Sequence, residues 1–226
     1  MNQINYCLPI VKSTKQEVIQ SIQDNLKNYQ YFEVWLDYIT DVDDAFMKLL
    51  IDLLHDKLII LFRRQNLEKI KMTFKKRLVI LSLVKQENVF VDLDIIANKK
   101  ELDYLKMSKG NIATIVSYHN YNLTPTDRTL KGIIEKMKNN NPTIFKIATF
   151  CKTENNALRL LQLQQTFKQK KQKHIVLGMG KFGTITRVFG TLWGNEMIFA
   201  PQTIADNSAP GQLTKTQLET IFKLLS

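Results

Sequence analysis

The chain has 226 residues, of which 44% are hydrophobic and 23% charged, and its 8 glycines and 5 prolines exclude a fibrous repeat or a disordered chain. No stretch approaches the roughly 18 uninterrupted apolar residues of a membrane span, and the start, Met1–Tyr6, lacks the basic and apolar regions of a signal peptide. The formal net charge is +11, but the lysines are spread over seven of the eight predicted helices without interleaved aromatics. We therefore expect neither a nucleic-acid nor a membrane partner, and the charge favours encounter with an anionic substrate.

Apolar, β-branched runs alternate with amphipathic segments along the whole chain. The predicted strands are Tyr6–Val11, Tyr31–Asp37, Lys57–Arg63, Val89–Ile95, Asn111–His119, Thr143–Phe150, His174–Gly178 and Glu196–Pro201. The predicted helices are Lys15–Asn28, Asp43–Leu54, Asn66–Lys76, Asn98–Met107, Asp127–Lys138, Glu154–Lys170, Thr184–Trp193 and Thr214–Leu225. Thr14 with Glu17, and Thr214 with Gln217, have the spacing of a capping box at a helix start.

Eight strands that alternate with eight helices in one chain predict an α/β fold, a closed parallel (β/α)8 TIM barrel in a single domain over residues 1–226. The alternative is an open, doubly wound sheet, which usually has about five to seven strands. The segment Thr203–Gln212 follows the last strand and contains Ser, Pro and Gly, so we expect a loop around residues 203–212 that closes over a site.

Position 146 is a lysine inside the apolar run Ile144–Phe150, and the preceding strand ends at His119. Burial disfavours an ammonium group, so a lysine there is expected to act as a free, nucleophilic amine. An amine and an imidazole on neighbouring strands suit carbonyl chemistry, in which the amine forms a Schiff base and the imidazole moves protons. The structural alternative for Lys146 is an ion pair with a barrel carboxylate such as Glu33.

Other polar residues also fall at predicted strand ends, where barrel enzymes place their chemistry. Glu33 and Trp35 share one face of the second strand, and Asp92 and Asp94 share one face of the fourth. We interpret the two aspartates as polar filling of the barrel rather than as reacting groups. Two cysteines, Cys7 and Cys151, lie in apolar runs; buried free thiols in a reducing cytoplasm are the preferred interpretation, with one disulfide as the alternative.

The segment Gly178–Gly183 matches the G-x-G-x-x-G pattern of dinucleotide-binding loops. The match is weak because it lies in the last quarter of the chain and no acidic residue ends a following strand at the usual spacing. We expect these glycines to permit a tight turn that brings the backbone close to a ligand. The histidines and cysteines show no metal-ligand spacing, so no metal is expected.

Four segments, in order, carry a resemblance to a known family. They are Val116–Tyr121 with Thr124-Pro125, Phe145–Ala148, Met179–Arg187, and Ser208–Gln212. Together they resemble the type I 3-dehydroquinate dehydratases, the Schiff-base class, and the likeness extends from Glu33 to Gln212. The resemblance implies a (β/α)8 barrel, commonly a homodimer, that acts on the small molecule 3-dehydroquinate in the shikimate pathway.

What the resemblance implies about the site is specific. Lys146 matches the lysine that condenses with the substrate ketone, and His119 matches the general acid and base. Arg187 matches the arginine that holds the substrate carboxylate. The remaining matches are contacts to the substrate, namely Glu33, Arg63, Ser208 and Gln212. The resemblance implies no cofactor, because the lysine itself supplies the electron sink.

Two positions depart from the family pattern. Trp35 stands where the family usually has arginine, and Leu67 stands where it usually has the glutamate that orients the histidine. Loss of one charge-assisted hydrogen bond costs about 1.5–3 kcal/mol, so we expect weaker activity unless Arg64 or Glu68 takes over. The alternatives are an aldolase-type Schiff-base barrel, a decayed homologue, or a basic nucleic-acid binder.

Overall fold

The computed structural model describes residues 3–62, 72–108 and 112–225. Its strands are β1 (Tyr6–Ile10), β2 (Tyr31–Trp35), β3 (Leu58–Leu61), β4 (Phe90–Asp94), β5 (Ala113–Asn120), β6 (Ile144–Phe150), β7 (His174–Met179) and β8 (Ile198–Phe199). Its helices are α1 (Lys15–Gln23), α2 (Asp44–Leu54), α3 (Phe74–Leu83), α4 (Lys99–Met107), α5 (Asp127–Lys138), α6 (Glu154–Gln169), α7 (Thr184–Trp193) and α8 (Lys215–Leu224).

All eight strands lie parallel in one sheet, in the order β7-β6-β5-β4-β3-β2-β1-β8. The return of β8 to the side of β1 curls the sheet into a nearly closed barrel with the helices between the strands. The backbone N–H of Glu196, just before β8, donates to the carbonyl of His174 at the start of β7 at 2.9 Å and bridges the remaining gap. The predicted (β/α)8 fold is confirmed.

Two apolar clusters fill the structure on either side of the sheet. Along β6, Phe145 faces outward and packs on Phe167 of α6, with ring centroids 5.2 Å apart. Alternate residues of the same strand, Ile144 and Ala148, belong to the smaller cluster inside the barrel. Lys146 lies between these two in the alternation, so its side chain also points into the barrel.

The third helix corrects the predicted boundaries. The sequence pattern placed a helix at Asn66–Lys76, whereas the structure shows α3 at Phe74–Leu83, with the Thr73 side chain accepting from the N–H of Lys76; residues 63–71 lie outside the described residues. The helix continues past Lys76 with Arg77 inside the protein, only 3% exposed and paired with buried Glu101 at 2.6 Å.

The predicted helix starts at Thr14 and Thr214 are confirmed. The side-chain oxygen of each threonine accepts the backbone N–H of the residue three positions later. The side chain of that residue, Glu17 or Gln217, accepts the backbone N–H of the threonine. No helix among the described residues is long and apolar enough to cross a membrane.

Candidate active site

A small cavity lies at the carboxyl-terminal ends of the barrel strands. Its volume is about 30 Å³, close to the share of one water molecule in the liquid. The residues that line it are Glu33, Trp35, His119, Lys146, Ala148, Leu177, Met179, Arg187, Phe199, Ser208, Ala209 and Gln212. The structure therefore brings together six of the seven site residues that the sequence singles out. The seventh, Arg63, lies outside the described residues, as do Arg64, Leu67 and Glu68.

Lys146 is held between two carboxylates. Its Nζ donates to Oε1 of Glu33 at 2.8 Å and to Oδ2 of Asp92 at 2.6 Å, and all three side chains are at most 4% exposed. The ring of Phe199 lies beside the same nitrogen, with its centroid 4.1 Å away. The apolar surroundings of position 146 predict an amine with nothing to stabilise its charge. The structure instead shows the alternative, an ion pair with Glu33, and adds Asp92 as a second carboxylate.

Each of these carboxylates is itself fixed by a further donor. The indole N–H of Trp35 donates to Oε2 of Glu33 at 2.9 Å, so both oxygens of Glu33 are engaged. The hydroxyl of Ser117 donates to Oδ1 of Asp92 at 2.5 Å. The lysine therefore has a preorganised, water-poor surrounding.

His119 is held by Asp94. The imidazole Nδ1 lies 2.9 Å from Oδ2 of Asp94, and the backbone N–H of His119 donates to the same oxygen at 3.1 Å. Burial acts to raise the pKa of the Asp94 carboxyl, but the hydrogen bond and charge of His119, together with the backbone N–H groups of Ala97 and Ile96, bring that pKa below its ordinary value. Asp94 is therefore ionised at neutral pH and accepts from the imidazole.

Arg187 provides a second cation at the cavity, on α7. It is 2% exposed, and among the described residues its Nε and Nη2 have no hydrogen-bond partner. Burial lowers the pKa of its guanidinium to about 10, so it remains charged at neutral pH. A buried guanidinium without a carboxylate is costly unless an anion comes to it.

The loop after β8 covers the cavity. The Gln212 amide donates to the hydroxyl of Ser208 at 2.9 Å, and its Oε1 accepts from the backbone N–H of Ser208 at 2.7 Å. These bonds close the segment Ser208–Gln212 on itself, with both polar side chains at the cavity. That this loop closes over a bound ligand stays a prediction.

The glycine motif Gly178–Gly183 packs against this loop. A Cβ on Gly183 would lie 2.3 Å from the carbonyl carbon of Gly178, so the two ends of the motif are in backbone contact. Gly180, at φ +77°, donates its N–H to the carbonyl of Pro210 at 3.1 Å, and a Cβ on Gly211 would lie 2.6 Å from the Gly180 oxygen. The sequence predicts a tight turn that brings the backbone close to a ligand. The structure shows the tight turn, but the segment that packs against it is the loop after β8.

Sequence reasoning undervalued Asp92 and Asp94, which the structure places against Lys146 and His119. The signal was present, because alternate residues at the carboxyl end of a barrel strand point inward to the site. Among the described residues, no group of three or more His, Cys, Asp or Glu side chains is arranged to hold a metal ion. Both cysteines are buried free thiols, as expected.

Reacting groups at the carboxyl-terminal face are the rule for (β/α)8-barrel enzymes, and the geometry of this cavity places the chain in that class. Comparison with known proteins narrows the class. The model of a family described as Type I 3-dehydroquinase matches residues 6–226, and the chain belongs to that family of hydro-lyases.

Individual relatives agree with the family match. The chain is 28% identical to a 3-dehydroquinate dehydratase of Methanococcus maripaludis, over 97% of this chain and 99% of the relative. It is 26% identical to one of Coxiella burnetii, over 99% and 94%. Among solved structures, the 3-dehydroquinate dehydratase of Geobacillus kaustophilus superimposes with a TM-score of 0.84 at 21% identity, covering 99% of this chain and 91% of that one.

Proposed function

We propose that the chain dehydrates 3-dehydroquinate to 3-dehydroshikimate through a Schiff base on Lys146. The observation that carries the proposal is the placement of a buried lysine, a histidine and a buried arginine around one cavity. The family match and the names of the relatives support the substrate.

The first step is condensation of the lysine with the ketone. The ammonium of Lys146 passes a proton to one of its two carboxylate neighbours, and the free amine attacks C3 of the substrate. Loss of water from the resulting carbinolamine leaves an iminium. Glu33 and Asp92, at 2.8 and 2.6 Å from Nζ, are placed to accept and return that proton.

The second step is elimination. The iminium withdraws electrons from C2, and His119 takes the C2 proton to form an enamine. The same imidazole then returns the proton to the C1 hydroxyl as it leaves as water, and hydrolysis of the imine releases the product and restores the amine. The elimination is a proton transfer plus loss of water, so it requires no oxidant or reductant.

Arg187 provides the anchor for the substrate. The substrate carries one carboxylate, and a guanidinium binds a carboxylate by two parallel hydrogen bonds. Binding would satisfy the Nε and Nη2 groups, which are without a partner among the described residues. Glu33, Ser208, Gln212 and Arg63 are proposed as further contacts to the substrate.

The covering loop must move for this substrate to enter. A cavity of about 30 Å³ does not hold a six-membered ring with its substituents. Opening of the segment Ser208–Gln212 would break the hydrogen bond from the Gly180 N–H to the Pro210 carbonyl, which ties the loop to the glycine turn. Reclosure then excludes water from the iminium.

The function is tested by mixing the purified protein with 3-dehydroquinate and following the ultraviolet absorbance of the conjugated product. Steady formation of 3-dehydroshikimate, identified by mass, supports the proposal. Absence of product at high enzyme concentration, or turnover only of aldol substrates in a parallel panel, would overturn it.

We also propose that the chain forms a homodimer through α7. A second copy carries the same charge of +11, so self-association needs a face without lysines. The outer face of α7 provides one, with Ile185 and Trp193 being 44% and 38% exposed and Phe189 between them at four-residue spacing.

The dimer is tested by sedimentation, which should give a mass near twice the 26.3 kDa of the chain. Ile185→Glu should give monomer, because it would bury a carboxylate in the interface. Met107→Glu on α4, at an 86% exposed position, is the matched control and should remain dimeric. A monomeric wild type, or an unchanged mass for Ile185→Glu, contradicts this interface.

For localisation, we propose the cytoplasm, which suits two buried free thiols.

A further inference from the structure

The carboxylate of Asp94 has an unusually complete set of partners. Oδ1 accepts the backbone N–H groups of Ile96 at 2.9 Å and Ala97 at 3.0 Å. Oδ2 accepts the backbone N–H of His119 and lies 2.9 Å from its Nδ1. Three backbone amides therefore fix the carboxylate, and the carboxylate in turn fixes the imidazole.

This contact determines which histidine nitrogen can act as a base. A carboxylate can only accept a hydrogen bond, so the neutral imidazole carries its hydrogen on Nδ1 and its basic lone pair on Nε2. Tyr121 stacks on the same ring, with centroids 6.0 Å apart and planes 13° apart, and restricts its rotation further.

We infer that Asp94 is the positioning residue that fixes the tautomer and orientation of His119. In the family pattern this task belongs to a glutamate at the position of Leu67, and the sequence offers Arg64 or Glu68 as residues that could take over. Among the described residues, the carboxylate that contacts the imidazole comes from Asp94 on β4, the strand that pairs with β5. This inference rests on the proposed function, because it concerns the group that moves protons in the elimination.

The test compares Asp94→Asn with three other variants in the full-length protein. An amide can turn its NH2 toward Nδ1 and stabilise the wrong tautomer, so kcat of Asp94→Asn should fall by about 10²-fold or more. Asp94→Glu, which keeps the charge, should recover part of the rate. Glu68→Gln, the alternative from sequence, and Asp103→Asn, an exposed carboxylate on α4, should stay within about threefold of wild type.

Two further measurements separate positioning from a structural role. Borohydride should still trap substrate on Lys146 in Asp94→Asn, because imine formation does not need the Asp94 carboxylate. The acid limb of the kcat/KM profile should move to lower pH by about one unit, since a neutral amide no longer favours the imidazolium. Among the described residues, the other charged groups at or beside the cavity are Glu33, Asp92, Lys146 and Arg187, and all four are unchanged in the variant.

The outcomes are distinct. If wild type does not turn over 3-dehydroquinate, the proposed function fails. If wild type is active and Asp94→Asn keeps its rate and acid limb, or if Glu68→Gln shows the loss instead, the inference about Asp94 is overturned. A variant that unfolds is replaced in the comparison by Asp94→Glu, whose acid limb must then match wild type while its kcat falls.

Discussion

Two cations lie at the same cavity in opposite situations. Lys146 is bonded to two carboxylates within 2.8 Å, whereas Arg187 has nitrogens that no described residue accepts from. The lysine thus has its proton acceptors in place before any ligand arrives, whereas two nitrogens of the arginine have no acceptor among the described residues. The contrast indicates that one cation is prepared for chemistry on the protein's own groups and the other for an anion from outside.

The largest effect is expected from removal of the lysine. Lys146→Ala should lower kcat by about 10⁴-fold or more, because no other amine replaces the Schiff-base nitrogen. Initial rates at high enzyme concentration measure this loss. Lys152→Ala, at an exposed position just after β6, is the control and should retain wild-type rates. Comparable rates for Lys146→Ala would remove the lysine from the mechanism.

Arg187→Met should separate binding from stability. KM should rise by about 10²-fold, because the substrate carboxylate loses its two-pronged partner. The ligand-free protein should gain about 1–3 kcal/mol in free energy of unfolding, because burial depresses the pKa of the guanidinium to about 10 and its charged form opposes folding at neutral pH. Denaturant titration and steady-state kinetics measure the two effects.

The control for Arg187→Met is Arg128→Met, at an exposed position on α5, which should change neither the KM nor the free energy of unfolding. A ligand-free Arg187→Met protein that is less stable than wild type would show that the guanidinium is satisfied by the protein. The contrast between the two cations would then not hold.

The smallest effect is expected from Trp35→Phe. The indole N–H holds the Glu33 oxygen that does not face the lysine, so its loss should lower kcat by about three- to tenfold while the KM changes little. Trp193→Phe, at the other tryptophan, should leave kcat unchanged. An increase in the KM with an unchanged kcat for Trp35→Phe would mean that the indole contacts the substrate rather than supporting Glu33.

The barrel and the inward-facing Glu33 and Lys146 could be predicted from the sequence, because period-two alternation and strand ends are local patterns. The roles of Arg187, Ser208 and Gln212 were implied by the family resemblance.

The pairing of Lys146 with both Glu33 and Asp92 could not be predicted, because it joins positions 113 and 54 residues apart through the closure of the barrel. The same holds for Trp35. From the sequence, the absence of an arginine at position 35 suggests a lost contact. The structure shows that the indole N–H of Trp35 donates to the carboxylate of Glu33 on the same strand.

The most direct test of the Schiff-base proposal is borohydride reduction of the protein during turnover of 3-dehydroquinate, followed by peptide mapping by mass spectrometry. We predict one stable adduct, on Lys146, that is absent from Lys146→Ala. An adduct on another lysine, or rapid turnover with no adduct at all, would contradict it.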